Sequence, residues 1–146
     1  MRATQQLQYA IYGLFDLAYN AGRRPVRIQE ISTRQRIPAR YLEQIFQKLR
    51  RAGLIESKRG PGGGYILARA PDAIHLADVL RAVQGGLVTR SRGDGVPARD
   101  NPEFVWALID RGLEEVLQRL SVAELCREAA RRGLERAENE PAMYYI

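Results

Sequence analysis

The stretch Ser57-Lys58-Arg59-Gly60-Pro61-Gly62-Gly63-Gly64-Tyr65-Ile66-Leu67 decides how the chain is read. It gathers four of the 13 glycines and two cations into a reversal between two short apolar runs, Leu54-Ile55 and Tyr65-Ile66-Leu67. Glycine and proline at this density force a sharp turn and φ values that other residues resist. Two β-prone runs joined this way read as a hairpin with a longer loop. A phosphate-cradling nucleotide loop fits poorly: Gly-Lys-Ser/Thr opening a helix is absent, Gly-x-Gly-x-x-Gly spacing is absent, and a strand follows. The cations point to an anion as partner, against the bland alternative of a plain hairpin with an incidental arginine.

Immediately upstream, Pro38 opens a helix spanning 38–52, since proline is welcome in a first helical turn. Tyr41, Leu42, Ile45, Phe46 and Leu49 form its apolar stripe, and Gly53 closes it. Its opposite face carries Arg40, Glu43, Gln44, Gln47, Lys48, Arg50 and Arg51. Ile28 and Ile31 mark a shorter helix to Gln35, with Pro25-Val26-Arg27 as no more than an extended approach. Leu7, Ala10, Ile11, Leu14, Phe15 and Ala18 recur at helical spacing over 5–19, and Asn20-Ala21-Gly22 ends that helix. Short helix, tight turn, Arg- and Gln-studded helix and glycine hairpin follow the order of a winged helix-turn-helix. Arg40, Tyr41, Glu43 and Gln44 suit phosphate or guanine, phosphate, cytosine N4 and adenine contacts respectively in a major groove. Arg59 suits the negative potential of a narrow minor groove, and Lys58 is the second DNA-facing cation of the hairpin.

Downstream, Ala70-Pro71-Asp72-Ala73 is a turn, and Leu76 to Gln84 forms a short helix with Leu76, Val79, Leu80 and Val83 inward. Periodicity then vanishes through 86–101. From Pro102 a long helix places Val105, Leu108, Ile109, Leu113, Val116, Leu117 and Leu120 on one face, too apolar to stand alone. Ser121-Val122-Ala123-Glu124 matches a capping box and restarts a helix through Leu125 and Leu134. Asn139-Glu140-Pro141-Ala142 breaks helix, and Met143-Tyr144-Tyr145-Ile146 form an apolar tail. The expected division is residues 1–84 as the winged unit, 85–101 as a loop, 102–138 as dimerisation and C-terminal helices, and 139–146 as the tail.

Composition agrees. At 146 residues the chain holds one compact core. Residues 1–69 carry 13 Lys+Arg against 4 Asp+Glu, and residues 70–146 carry 10 against 13, so +9 faces −3. A basic first half beside a mildly acidic second half implies a polyanion-binding module joined to something else. No run reaches the ~18 apolar residues of a membrane span, and the N-terminus lacks a signal-peptide profile, so a cytoplasmic location without membrane contact is expected. One cysteine and one histidine support neither a disulfide framework nor a metal site nor a nucleophile–base–acid set, so no enzyme is expected.

Tyr41-Leu42-Glu43-Gln44-Ile45-Phe46, Leu49-Arg50-Arg51-Ala52-Gly53-Leu54-Ile55 and Arg59-Gly60-Pro61-Gly62-Gly63-Gly64-Tyr65 closely resemble the IscR/NsrR/CymR family of bacterial transcription regulators. The similarity runs from about Tyr9 to Gln84 and extends through the long helix. It implies a homodimer, mainly α with a small β wing, whose long helices cross and whose recognition helices and wings meet a palindromic operator in double-stranded DNA. Carried onto this chain, Tyr41, Glu43, Gln44 and Arg59 match DNA-reading positions, and Arg50 one near the backbone. Relatives commonly have Lys-Gly-Arg before the first helix's tyrosine. Here Gln6-Leu7-Gln8 precedes Tyr9, so two usual phosphate partners are missing.

Many members of that family hold an iron–sulfur cluster on three cysteines in the loop after the fourth helix. Here Leu87 to Asn101 contains neither cysteine nor histidine, and Arg90, Arg92 and Arg99 cannot replace soft thiolate ligands. No cofactor is therefore expected. His75 reads as a surface or capping residue. Cys126 reads as a small buried hydrophobe, with thiol redox sensing as the alternative. The tail Met143, Tyr144, Tyr145, Ile146 resembles that of the cluster-free cysteine-metabolism repressor CymR. That resemblance implies that Ile146 docks into cysteine synthase, as the terminal isoleucine of serine acetyltransferases does, and that the chain controls sulfur metabolism. Packing of the tail on its own dimer is the bland alternative, and a small-molecule effector under the dimer helices is another.

Overall fold

The computed structural model describes residues 4–20, 24–84 and 100–137. The expected stop at 21–22, nearly all of the loop 85–101 and the tail 139–146 lie outside the described residues. Within them the order is α1 (Gln5–Asn20), α2 (Ile28–Gln35), α3 (Ala39–Arg51), β1 (Ile55–Lys58), β2 (Gly64–Leu67), α4 (Leu76–Val83), α5 (Phe104–Arg119) and α6 (Val122–Arg131). A single 3-10 turn, Pro71–Ala73, joins the hairpin to α4. The architecture is a mainly helical winged helix-turn-helix with one two-stranded antiparallel sheet.

The core forms where the apolar stripes of α1 to α4 converge. Leu14, Leu17, Ile31, Leu42, Phe46, Leu49, Leu54, Ile55 and Val79 are fully buried there. Pro38 stands one residue before α3 as its N-cap, because its extended ψ of 130° breaks the helix at that point. The other end of α3 is closed by Gly53, whose φ of +76° only glycine adopts freely. Its N–H donates to the Arg50 carbonyl and that of Leu54 to the Leu49 carbonyl, both at 3.0 Å. Leu54 thereby turns inward against Leu49 and delivers the chain into β1. On α1, Gly13 lets α3 approach closely: a Cβ there would meet Phe46 at 2.8 Å and Leu42 at 3.1 Å.

One contact in this core is ionic. Asp16 is completely buried on the inner face of α1. Arg34 of α2 donates through Nη2 to its Oδ1 at 2.7 Å and through Nε to its Oδ2 at 3.0 Å, and Gln35 Nε2 adds 3.0 Å to Oδ2. The bond to Asp16 raises the Arg34 pKa, against a smaller opposing cost of burial. A buried carboxylate has no other way to be satisfied here, so the pair locks the angle between α1 and α2.

Four features depart from the sequence expectation. Val26 is more than an approach: it forms an isolated antiparallel bridge with Tyr65, a third strip of the wing. Tyr41 leaves the apolar stripe of α3 and is 45% exposed. The long helix is shorter than expected, and its apolar positions divide between two faces. Val105, Ile109, Leu113 and Leu117 are half-buried on the side that packs on α4, whereas Leu108 and Val116 are exposed with Phe104. Finally, α6 ends at Arg131, so Leu134 lies beyond it, and α6 packs on α1. The His75–Ser121 bridge fixes its start, and Ser121 Oγ accepts from Glu124 N at 3.2 Å as a capping residue should.

Asp16→Ala is expected to lower unfolding free energy by about 3–5 kcal/mol, because Arg34 is left without its partner. Asp16→Leu combined with Arg34→Met should lose distinctly less than Asp16→Ala. Urea denaturation of the three proteins measures both, and equal losses would show that the pair is not the lock.

Candidate nucleic-acid interface

The wing is built by backbone constraint. Gly63 N donates to the Gly60 carbonyl at 2.9 Å. With Pro61 and then Gly62 at φ +75° between them, this is a type II turn. A Cβ on Gly63 would stand 2.3 Å from the Lys58 carbonyl oxygen, and one on Gly64 2.5 Å from that of Val26. Those two positions admit only glycine, since the obstructing atoms are backbone. Ile55 to Lys58 pair with Leu67 to Gly64 in register, which raises Lys58 and Arg59 to an exposed tip. Neither side chain has an ion-pair partner among the described residues.

The tip is held to the recognition helix at its base. Tyr65 exchanges both backbone hydrogen bonds with Val26, at 2.9 and 2.7 Å. Its ring stands edge-on to Phe46 at 5.1 Å, with an interplanar angle of 88°. Phe46 belongs to the buried stripe of α3, so the base of the wing packs directly on the helix whose outer face is exposed. Arg50 adds a polar tie, donating through Nη1 to Ser57 Oγ of β1 at 3.3 Å.

The exposed face of α3 is a ridge with a concavity on either flank. Toward the wing, Glu43 and Gln47, one turn apart, line an open groove of about 400 Å³ with Gly63 and Gly64 opposite. Arg27 and Gln29 from the start of α2 close its end. Toward α1, Tyr41, Gln44 and Lys48 line a smaller hollow of about 150 Å³ with Gln5, Gln6 and Tyr9. There Lys48 Nζ donates to Gln6 Oε1 at 3.2 Å and Gln5 Nε2 to Tyr9 Oη at 2.9 Å. Arg40 lies 5.8 Å from the Tyr41 ring centre at the head of the ridge.

Arg40, Tyr41, Glu43, Gln44, Arg50, Lys58 and Arg59, all expected from sequence, are thus exposed on α3 and the adjoining wing. Sequence reading missed Arg27 and Gln29 as members of this surface, and it placed Gln47 on the outer face of the helix without giving it a contact. The signal lay in Val26: a β-branched residue beside a proline could have been paired with the hairpin, which would have carried Arg27 and Gln29 there. A ridge of helix between two grooves, beside a cationic hairpin, suits the grooves of duplex DNA.

Comparison with known proteins agrees. Residues 3–128 match the Rrf2 family, described as iron-dependent transcriptional regulators. The chain belongs to the Rrf2 family. It is 39% identical over 129 residues to the HTH-type transcriptional regulator IscR of Sodalis glossinidius, covering 86% of this chain and 78% of that protein. Among solved structures, T. potens IscR superposes with a TM-score of 0.76 at 32% identity, covering 99% of this chain and 97% of that one. CymR, the global cysteine regulator of B. subtilis, gives 0.72 at 28% identity, covering 88% and 98%. As an Rrf2 protein this chain is a DNA-binding winged-helix transcriptional regulator and not an enzyme. No described helix is long and apolar enough to cross a membrane.

The iron in the family description does not fit the donors of this chain. It has one cysteine and one histidine. His75 precedes α4, and its backbone N–H donates to Asp78 Oδ2 at 3.0 Å. The described residues hold no cluster of three His, Cys, Asp or Glu side chains disposed around a common point. Cys126 of α6 is half-buried against the core. Burial pushes its thiol pKa up, partly offset by the charges of Arg136 and Arg127. A raised pKa leaves less thiolate at neutral pH, and thiolate is the form that binds soft metals or reacts with oxidants.

Cys126 is accordingly expected to react with iodoacetamide at neutral pH more slowly in the native protein than in the urea-unfolded chain. Its rate should rise at a higher pH than that of an ordinary thiol. A native rate equal to or above the unfolded one would overturn the assignment of Cys126 as a packing residue.

Proposed function

We propose that this Rrf2 protein is a homodimeric, cluster-independent repressor of CymR type, reading a palindromic operator with α3 and the wing. The observation that carries the operator reading is the rigid junction of Tyr65 with Phe46 and Val26, which presents Gln44 and Arg59 on one connected surface. Within it Arg40 and Tyr41 contact phosphate, Glu43 and Gln44 read base edges, Arg59 with Lys58 enters the minor groove, and Arg50 lies near the backbone. Support for the dimer comes from α5. Phe104, Leu108 and Val116 recur every fourth or eighth residue on its exposed side, with Gly112 between them and open space where its Cβ would be. Such a stripe with a glycine at its centre suits a second copy of the same helix crossing closely.

Support for the CymR-type role is chemical. A chain with one cysteine has no ligand set for a cluster, and the raised thiol pKa weighs against Cys126 as a redox sensor. The resemblance to CymR points to the C-terminal Met143-Tyr144-Tyr145-Ile146, with a small-molecule effector under the dimer helices as the alternative. The same resemblance to CymR implies that Ile146 presents its carboxylate, behind an apolar side chain, to an amino-acid carboxylate site such as that of cysteine synthase. Sulfur status would then reach the operator through competition for that enzyme.

Gln44→Ala and Arg59→Ala should each weaken operator binding by ~1–3 kcal/mol while leaving random-sequence DNA little affected, provided each makes a bidentate contact. Fluorescence anisotropy on both duplexes measures this. Equal losses on the two would remove the base-reading role.

Deleting Ile146 should abolish binding to cysteine synthase in a calorimetric titration and leave the dimer intact by light scattering. Unchanged heats would remove the tail from the function.

A further inference from the structure

Arg27, Gln29 and Gln47 have no part in the operator contacts set out above, yet they meet in the groove between α3 and the wing. Arg27 is exposed, and its guanidinium makes no ion pair or hydrogen bond with any described residue. The neighbouring carboxylate, Glu30, is already engaged: it lies 3.7 Å from Arg24 and accepts the backbone N–H of Arg27 at 3.2 Å. Glu43 is the one carboxylate lining the groove, and it stands on the α3 wall. The opposite wall is the bare backbone of Gly63 and Gly64 beside Tyr65.

The dimensions of DNA give this space a tenant. A helix with its side chains is ~10–12 Å across, and the B-form major groove is ~12 Å wide, so α3 fills that groove from wall to wall. The wing beside it then meets the adjacent minor groove. Those two grooves share one wall, a single phosphodiester strand. That strand has to pass between α3 and the wing, and the groove is the space between them.

We propose that the groove seats this dividing strand, with Arg27 as the phosphate-neutralising cation and Gln29 and Gln47 as hydrogen-bond donors to it. The bare backbone of Gly63 and Gly64 lets the strand lie deep. Glu43 accepts hydrogen bonds only and repels phosphate, so it turns to the base edges while the strand lies toward Arg27. This rests on the operator reading above and adds to it a contact that carries no sequence information. Arg27 is therefore a source of affinity and salt dependence, and not of specificity.

The test uses the full-length dimer and two probes: a random-sequence duplex, and a duplex enriched from a random pool by the wild-type protein. Binding is titrated against potassium chloride. Arg27→Gln should weaken both duplexes by the same factor and reduce the slope of log K against log salt by ~0.9 per subunit. Arg27→Lys should keep the slope, since a point charge suffices for phosphate. Gln47→Glu, which puts a second carboxylate in the groove, should weaken both duplexes equally. The thermal midpoint of Arg27→Gln should match wild type, because the residue is exposed and unpaired. An unchanged slope with Arg27→Gln, or a loss confined to the enriched duplex, overturns the strand seat while wild-type binding leaves the operator reading standing. Wild-type protein that enriches no duplex overturns both.

Discussion

Tyr65 is the residue on which the geometry of the DNA-facing surface depends. Its backbone is bonded in both directions to Val26, ahead of α2, and its ring meets Phe46 of α3 edge-on. Phe46 in turn is pressed against Gly13 of α1, where no side chain intervenes. Two helices, the approach to a third and the hairpin therefore meet at Tyr65 and Phe46. An edge-to-face contact adds only ~0.5–1.5 kcal/mol beyond the area it buries. Its importance is positional: a hairpin of two four-residue strands is marginal alone, and this junction gives it a fixed direction.

That dependence explains which parts of the molecule were legible in the sequence. The wing was, because Gly63 and Gly64 are demanded by backbone atoms a few residues away, and local demands leave local signatures. The inner face of α3 was, because Leu42, Ile45, Phe46 and Leu49 follow the helical repeat and are all buried. Asp16 was not. It lies off the stripe of Leu7, Ala10, Ile11, Leu14, Phe15 and Ala18, so a carboxylate there reads as outward, whereas the buried face of α1 turns toward Gly13, Asp16 and Leu17, and Arg34 is a surface-type residue on another helix. The Val26 bridge was equally hidden, since a single bridging residue has no period. The helix α5 failed differently: its apolar positions were found, but one dimension of sequence could not divide the face that meets α4 from the face left open.

Two of the ion pairs among the described residues join one helix to another, and they stand in different places for different reasons. Asp16 with Arg34 is buried and fixes α2 against α1, hence the start of the helix-turn-helix. Arg81 of α4 reaches Glu114 of α5 at 2.8 Å and Asp78 at 3.1 Å on the surface. Solvent screens such a pair, so it contributes little to stability. It does, however, join α5 to the body at a point where the apolar contact is only half-buried. The orientation of the exposed α5 stripe relative to α3 is thus set by a shallow apolar seam and a screened ion-pair cluster. In a dimer formed through that stripe, the separation of the two recognition helices would inherit the same softness.

The last described residues are tied to α1 by polar contacts. Tyr19 Oη donates to the Leu134 carbonyl at 2.7 Å, Arg136 lies over the Tyr19 ring at 4.7 Å, and Ala137 N donates to Asn20 Oδ1 at 2.6 Å. Residues 134–137 are therefore fixed to the last turn of α1. The first turn of the same helix, with Gln5, Gln6 and Tyr9, borders the DNA-facing ridge. At 1.5 Å per residue the sixteen residues of α1 separate the two ends by about 24 Å. Ala137 itself lies a helix length from the surface that meets DNA, and under the proposed function a protein held by the tail meets this chain past Ala137. It need not cover Gln44 or Arg59 to oppose binding. Bulk alone suffices if it extends back along α1, toward the end that carries Gln5, Gln6 and Tyr9.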